Sequence, residues 1–314
     1  MKALITGSTG MIGGHFVRML REKGWEVHGL SRPSAASRMH ESWDYPVHRV
    51  DLLDREATVR ILDRIKPDRV VHMAAQAFNG TSWDMESYTH LVNFNSTLNV
   101  LWGVRQVVPE AGVLLACSSA EYGCVDASEC PLVEDRPLRP VTPYGVSKVA
   151  GEALGFQYHA NYGTRVFLPR LFIHVGTGHP PATAIQNFAR QLALIRKGKM
   201  EPVLKVGRLD TARDFIDVRD GVSAMLALME HGKPGVPVNI CNGEAPKISE
   251  VLDLLIEIAE VSVRVESDPS LMRLSDEAVL LGDNTRLKQL GWSRRYSLRE
   301  TLNAVFEDWM IRTA

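Results

Sequence analysis

Tyr144 stands four residues ahead of Lys148 in the stretch TPYGVSKVAGEAL. The segment opens behind a proline, where a helix can start, and residues four apart on a helix share one face. A free phenol titrates at about 10 and is a poor acid–base group at neutral pH. A fixed cation one turn away favours the phenolate, so the pair is a candidate proton-transfer device. Two further hydroxyls, Ser118 and Ser119, close the apolar run LLACSSAEYG. A chain that uses these groups must bring a strand end and a helix start into one crevice.

The first half of the sequence has that rhythm. KALITG, WEVHGL, VHRVDL, RVVHMAA, GVLLACSS and TRVFLPRL are short apolar runs. Segments of helical period separate several of them, such as MIGGHFVRMLREKG, closed by Gly24, and DREATVRILDRIK. Strands apolar on both faces that alternate with helices predict an α/β fold, a doubly wound parallel sheet of Rossmann type. Its ligand crevice lies at the carboxyl ends of the strands. We expect a dinucleotide-binding unit over 1–171, with strand returns from RDFIDVRD and VPVNICNG at about 212–241. A smaller substrate-binding lobe takes 172–211 and 242–314, with helices in IQNFARQLALIRKG, ISEVLDLLIEIAE and LRETLNAVFEDWM.

ITGSTGMIGG lies between the first strand and the first helix and carries Gly7, Gly10 and Gly13. Glycines there allow a tight turn and a close backbone approach to a pyrophosphate, which the free N–H groups of the helix start then face. Thr9, Met11 and Ile12 complete this candidate cradle. An acid at the end of the second strand would bind ribose hydroxyls, whereas arginine favours a 2′-phosphate. Ser31 and Arg32 stand there, with Arg38 following, so NADP(H) is the expected cofactor, with NAD(H) the alternative. Asp51 and Leu52 would border the adenine. Met73, Ala74, Ala75 and Gln76, after the fourth strand, would let the cofactor lie against the backbone. With a nicotinamide in place, Tyr144, Lys148 and Ser118 form an alcohol/ketone redox site. Tyr144 exchanges a proton with the substrate oxygen, Lys148 holds the nicotinamide ribose, and Ser118 hydrogen-bonds the same oxygen.

Composition excludes several other classes. The 314 residues are 45% hydrophobic and 23% charged, with a net charge of -1, so no general attraction to nucleic acid or an anionic membrane is expected. No stretch approaches the roughly 20 apolar residues of a membrane span, and the N-terminus lacks the apolar core of a signal peptide. Cys117, Cys124, Cys130 and Cys241 have no C-x-x-C spacing and read as reduced thiols of a cytoplasmic protein. His28, His48, His72 and His174 have no metal-ligand spacing, so no metal is predicted.

TGSTGMIG, DLLD, HMAAQAF, SSAEYG, PYGVSK, PRLFIHVGTGH, RDFIDVRD and NICNGE run nearly end to end. With them the chain resembles an extended short-chain dehydrogenase/reductase of the nucleotide-sugar-modifying epimerase/dehydratase kind. AAQAFNGTSW, LDTARDFIDVRDGVSAM and GDNTRLKQLGW point to the branch of GDP-mannose 4,6-dehydratases and GDP-4-keto-6-deoxymannose reductases. The resemblance implies that Ser118, four before Tyr122, is the catalytic hydroxyl, with Ser119 the close alternative. It implies that Asn93 supports the cofactor site and that Arg213 grips the nucleotide diphosphate. Phe78 and Ser82 would border the sugar. His174 would meet the substrate, Asn187 and Arg190 the nucleotide, and Asp283 would close over it. It also implies a homodimer built on a four-helix bundle of YTHLVNFNSTLNVLWGVRQV and YGVSKVAGEALGFQYHANYG.

Family dehydratases carry a carboxylate two residues before the tyrosine of the Y-G pair, where this chain has Ala120. Glu121 is displaced by one residue, which on a strand-like exit turns a side chain to the opposite face. The expected activity is therefore reduction of a 4-keto-6-deoxy nucleotide sugar by NAD(P)H. A 4,6-dehydratase or a 4-epimerase is the alternative, and a non-catalytic NADP sensor a remote one. Ile173 replaces the branch asparagine before His174, and Arg208 replaces another after Gly207, so sugar and base stay open.

Overall fold

The computed structural model describes residues 1–32, 43–271 and 278–314. The first part of the chain runs β1 (Lys2–Thr6), α1 (Met11–Glu22), β2 (Glu26–Ser31), β3 (Val47–Arg49), α2 (Arg55–Ile65), β4 (Arg69–His72), α3 (Thr81–Asp84), α4 (Glu86–Val107), β5 (Gly112–Leu115), β6 (Cys117–Ser118), α5 (Pro143–Tyr162) and β7 (Val166–Leu171). It continues through β8 (Ile173–Val175), α6 (Ala184–Arg196), β9 (Val203–Val206), β10 (Ala212–Arg213), β11 (Phe215–Asp217), α7 (Val218–His231) and β12 (Pro237–Ile240). The chain ends with α8 (Ile248–Ala259), β13 (Arg264–Ser267), β14 (Val279–Leu280), α9 (Thr285–Gln289) and α10 (Leu298–Arg312).

The main sheet has the order β12–β7–β5–β4–β1–β2–β3, with β6 beside β7, and every pairing in it is parallel. Parallel neighbours need crossovers, and the helices that make them cover both faces. Phe16, Val17 and Leu20 of α1 pack with Val222 and Met225 of α7 on one face. Ile61 and Leu62 of α2 pack with Val100, Leu101 and Val104 of α4 and Tyr158 of α5 on the other. The strand order reverses between β1 and β4, which opens the crevice at their carboxyl ends. Local signals set the helix ends. Asp54 caps α2 by accepting the Ala57 N–H at 2.9 Å, and Gly24, at φ 77°, takes the chain out of α1.

Phe188 and Leu192 of α6, Leu252 and Leu255 of α8, and Phe306 and Trp309 of α10 form a separate core. One expectation is corrected. VPVNICNG does return to the main sheet as β12, but RDFIDVRD does not. Its strands β10 and β11 pair instead with β14 and β8 in separate two-stranded ladders. The reason is Asp214, fully buried between them. Its carboxylate accepts N–H groups from Asn242 at 2.7 Å, Gly243 at 2.9 Å and Gly282 at 3.3 Å. These bonds tie the segment to loops at the foot of the lobe. Burial pushes the Asp214 carboxyl up to about 6, against the pull of those N–H groups.

Candidate active site

The glycine loop turns because Gly7 takes a left-handed φ of 67°. A methyl group on Gly13 would lie 2.2 Å from the Gly7 carbonyl oxygen, so loop and helix approach at backbone distance. Gly10 begins α1 without a side-chain cap, and the first turn holds no acid. The N–H groups and the positive end of the helix dipole are thus left for an anion. Thr9, Met11 and Ile12 are half-buried around this opening and Gly10 is exposed. The floor is equally tight: Thr6 Oγ1 accepts the Met73 and Ala74 N–H groups at 3.1 and 3.0 Å. With both lone pairs so used, the Thr6 hydroxyl donates to His72 Nδ1 at 2.9 Å. His72 Nε2–H then faces Thr97 Oγ1 at 3.3 Å, and Thr97 donates to the Asn93 carbonyl. His72 is therefore a neutral core histidine, its basicity lowered by burial to about 3.

At the end of β2, Ser31 is half-buried and Arg32 exposed, and Arg32 Nη1 donates to the Tyr88 hydroxyl at 2.7 Å. Sequence reasoning missed Tyr88, which steadies the cation at the end of β2; no local motif marks it. Arg38 lies outside the described residues. Asp51 is exposed after β3 and accepts the Leu53 N–H, while Leu52 is buried under it. Ala74, Ala75 and Gln76 leave β4 half-buried. These groups fit a dinucleotide: a cradle with no room for a β-carbon at Gly13, an uncapped helix start, and a cation at the second strand end.

Thr142 caps α5 through the Gly145 N–H, and Pro143 occupies its first turn, which fixes where Tyr144 points. A methyl group on Gly145 would lie 2.6 Å from the Ala120 carbonyl, so the helix start presses on the turn that follows Ser118. Lys148 Nζ donates to the Ala116 carbonyl at 2.7 Å and lies 5.6 Å from the centre of the Tyr144 ring. Tyr144, Lys148 and the Ser118–Ser119 strand end are thus brought together. Ser118 Oγ accepts the Ala120 N–H at 3.2 Å, which leaves its hydroxyl proton and a lone pair for a ligand.

The other expected contact residues carry structural bonds of their own. Asn93 stands behind the crevice: its amide oxygen accepts the Gln76 N–H and its amide nitrogen donates to the Gln76 carbonyl and Ser147 Oγ. It holds the loop after β4 to α5. Ser82 is fully buried and donates to the Asn79 carbonyl, so it shapes the Phe78 loop from within. His174 Nδ1 donates to the Phe172 carbonyl, and its Nε2 lies 2.1 Å from where a methyl group on Gly221 would be. Strand alternation has turned it into the packing against α7, and burial lowers its basicity to about 4. Phe78 is exposed and its ring meets His179 edge-on at 5.9 Å, a contact between the β4 loop and the lobe. Asn187 and Arg190 are half-buried on α6. Arg213 is buried and donates to the Ala212 carbonyl. Asp283 accepts the Thr285 N–H. Arg208 pairs with Asp210 through two hydrogen bonds.

Glu121 faces inward and is fully buried. It and Glu152 flank Arg170, whose guanidinium makes a two-point contact to Glu152 at 2.8 and 2.6 Å. Cys117, Glu121 and Glu152 are the one cluster with metal-ligand geometry among the described residues, and the Arg170 guanidinium already supplies its positive charge. None of the described helices is long and apolar enough to cross a membrane.

The family model described as GDP-mannose 4,6 dehydratase matches residues 4–305. The GDP-6-deoxy-D-mannose reductase of Pseudomonas aeruginosa is 32% identical over 99% of this chain and 98% of its own. A GDP-mannose 4,6-dehydratase of Vibrio cholerae is 27% identical over 99% and 94%. The structure of the RMD protein of P. aeruginosa complexed with NADPH superimposes with a TM-score of 0.88 at 31% identity, covering 99% and 98% of the two chains. The UDP-glucose 4-epimerase of Thermus thermophilus, complexed with NAD, does so with a TM-score of 0.88 at 28% identity over 98% and 99%. Uncapped glycine loop, Tyr144–Lys148 pair and end-to-end match agree: this chain belongs to the GDP-mannose 4,6-dehydratase family.

Proposed function

We propose that this protein is an NAD(P)H-dependent reductase of a 4-keto-6-deoxy nucleotide sugar, most closely a GDP-linked one. The observation that carries the choice within the family is the direction of Glu121. Dehydration needs a base to take the C5 proton; here Ala120 holds that position and Glu121 is buried beneath the strand end. Ketone reduction needs no such base. The P. aeruginosa reductase is also more similar to this chain than the V. cholerae dehydratase is.

Gly7, Gly10, Gly13 and the α1 start would hold the pyrophosphate, and Arg32 with Tyr88 a 2′-phosphate, which favours NADP(H). The bound nicotinamide supplies the hydride. Ser118 donates to the ketone oxygen and fixes its orientation, and Tyr144 gives that oxygen a proton as it becomes a hydroxyl. Lys148, held by the Ala116 carbonyl, keeps a positive charge beside the phenol. Phe78, Arg190 and Arg213 are the proposed sugar and diphosphate contacts, with Asn187 and Asp283 at the base.

The active unit is proposed to be a cytoplasmic homodimer through α4 and α5. Leu91 on α4 and Phe156 on α5 are 51% and 55% exposed, and such a contact would cover them. The four cysteines are free, in keeping with a reducing compartment.

The test is turnover of GDP-4-keto-6-deoxymannose and other keto-nucleotide sugars with NADPH and with NADH, followed by nicotinamide absorbance and product NMR. A reductase oxidises one NADPH per new C4 hydroxyl. Conversion of GDP-mannose to the keto-sugar would instead identify a dehydratase, and C4 inversion without net oxidation an epimerase.

A further inference from the structure

Beneath Ser118 lies a polar cluster that the proposed reaction does not use. Glu121 Oε1 accepts the Ser118 N–H at 2.8 Å, and its Oε2 is 3.7 Å from Arg170 Nε. Donor atoms of Cys117, Glu121 and Glu152 all lie within 4.8 Å of one another. Arg170 spends its other contacts elsewhere, donating from Nη1 to the Tyr122 hydroxyl at 3.0 Å and the Glu134 carbonyl at 2.8 Å.

The charges do not balance with both acids ionised. One guanidinium, already in a two-point pair with Glu152, would face two buried carboxylates. Taken as a carboxylate, Glu121 Oε2 is a buried acceptor with no hydrogen-bond donor. Taken as an acid, the same atom is a donor beside Glu152, and the vacancy disappears. Lys148, on α5, is the other cation near the cluster, and it is committed to the Ala116 carbonyl. The Cys117 thiol on β6 is held neutral by burial and cannot share the proton load as a base.

We propose that Glu121 is a positioning residue for the Ser118 hydroxyl, and that it works as a neutral carboxylic acid, accepting the Ser118 N–H on one oxygen and donating its own proton to Glu152 with the other. This rests on the reading of Ser118 as the group that orients the substrate oxygen. The strand end is thereby tied through Glu121 and Glu152 to Arg170 on β7. The Ser118 side chain is left to face the crevice. Burial and the neighbouring Glu152 raise the Glu121 carboxyl well above the usual range. A carboxyl so raised stabilises the fold fully below its unfolded value, and the contribution is lost as pH rises through the folded one. The device therefore fails on the alkaline side.

Three chains test it: wild type, Glu121→Gln and Glu121→Leu. The amide of Gln reproduces both the acceptor and the donor, whereas Leu fills the space with neither. Glu121→Leu is expected to lower kcat by roughly tenfold, the equivalent of one misplaced hydrogen bond, with KM changing less. Glu121→Gln is expected to restore kcat and to shift its alkaline fall to higher pH. Two measurements are independent of any substrate. Infrared difference spectra of wild type against Glu121→Gln should show a protonated-carboxyl stretch lost from the variant at neutral pH. The Ser118 amide should exchange slowly in wild type and Glu121→Gln and faster in Glu121→Leu. A Gln variant as impaired as the Leu variant, a folded Leu variant with unchanged kcat and exchange, or a missing carboxyl band would each overturn the proposal. If no keto-sugar is turned over, the spectra and the exchange still decide it; if Glu121→Leu does not fold, the carboxyl band and the Gln variant still do.

Discussion

The two ends of the crevice are built on opposite principles. At the glycine loop, backbone donors are left open: α1 starts at Gly10 with no side-chain cap and no acid in its first turn. Under Ser118, by contrast, polar groups are closed on one another. Arg170, Glu152, Tyr122, Asn239 and Glu134 form a network in which Tyr122 donates to Asn239 Oδ1 at 2.7 Å and the Asn239 N–H donates to Glu134 Oε1 at 2.9 Å. Burial pushes the Tyr122 phenol up to about 12, so it remains a neutral donor there. An open end binds, because an unsatisfied donor gains most from a ligand. A closed end holds still, because its buried groups are bonded chiefly to one another.

The contrast is broken most severely at the chemistry between them. Tyr144→Phe is expected to cut kcat by about 10²–10⁴, the usual worth of a placed proton donor. NADPH affinity, measured by fluorescence titration, should stay near wild type; a sensor without turnover would be indifferent to the change. At the closed end, Arg170→Leu strands Glu152 without its cation. Urea unfolding should show a loss of about 3–5 kcal/mol, the cost of an unpaired buried charge. At the open end, Gly13→Ala puts a methyl group against the Gly7 carbonyl. Overpacking is expected to cost about 1–3 kcal/mol of stability in urea unfolding, and NADPH binding should weaken with it in fluorescence titration.

Acid should probe the floor of the open end. His72 has a folded basicity lowered to about 3, so its contribution is present above its unfolded value of about 6.5 and is lost as pH falls below it. From about pH 7.5 to about pH 5 the folded state should lose about 2 kcal/mol through this residue, and a His72→Gln chain should lack that slope. The smallest effects fall at the second strand end. Arg32→Ala should reduce the preference for NADPH over NADH by about tenfold, and Tyr88→Phe by about twofold to fivefold, in parallel steady-state assays.

The same contrast explains what the sequence disclosed. The open end is local: ITGSTGMIGG places strand, turn and helix start within ten residues, and Ser31–Arg32 ends the next strand. Tyr144 and Lys148 are legible because one helix sets their spacing. The closed end is assembled from residues 121, 134, 152, 170 and 239, whose relation only the fold reveals. The surroundings of His174 and Ser82 were not legible for a related reason. Motif position told which loop they occupy, but strand alternation and burial decided which way each side chain turned. RDFIDVRD has the composition of a sheet strand, yet the partners that claim Asp214 come from residues 242, 243 and 282.

That aspartate acts as a rivet. Three backbone amides from two distant loops meet one side chain on the segment leading into β11, so those loops and that strand travel together as a single piece. Any breathing of the lobe that admits a bulky sugar nucleotide must therefore bend outside this knot.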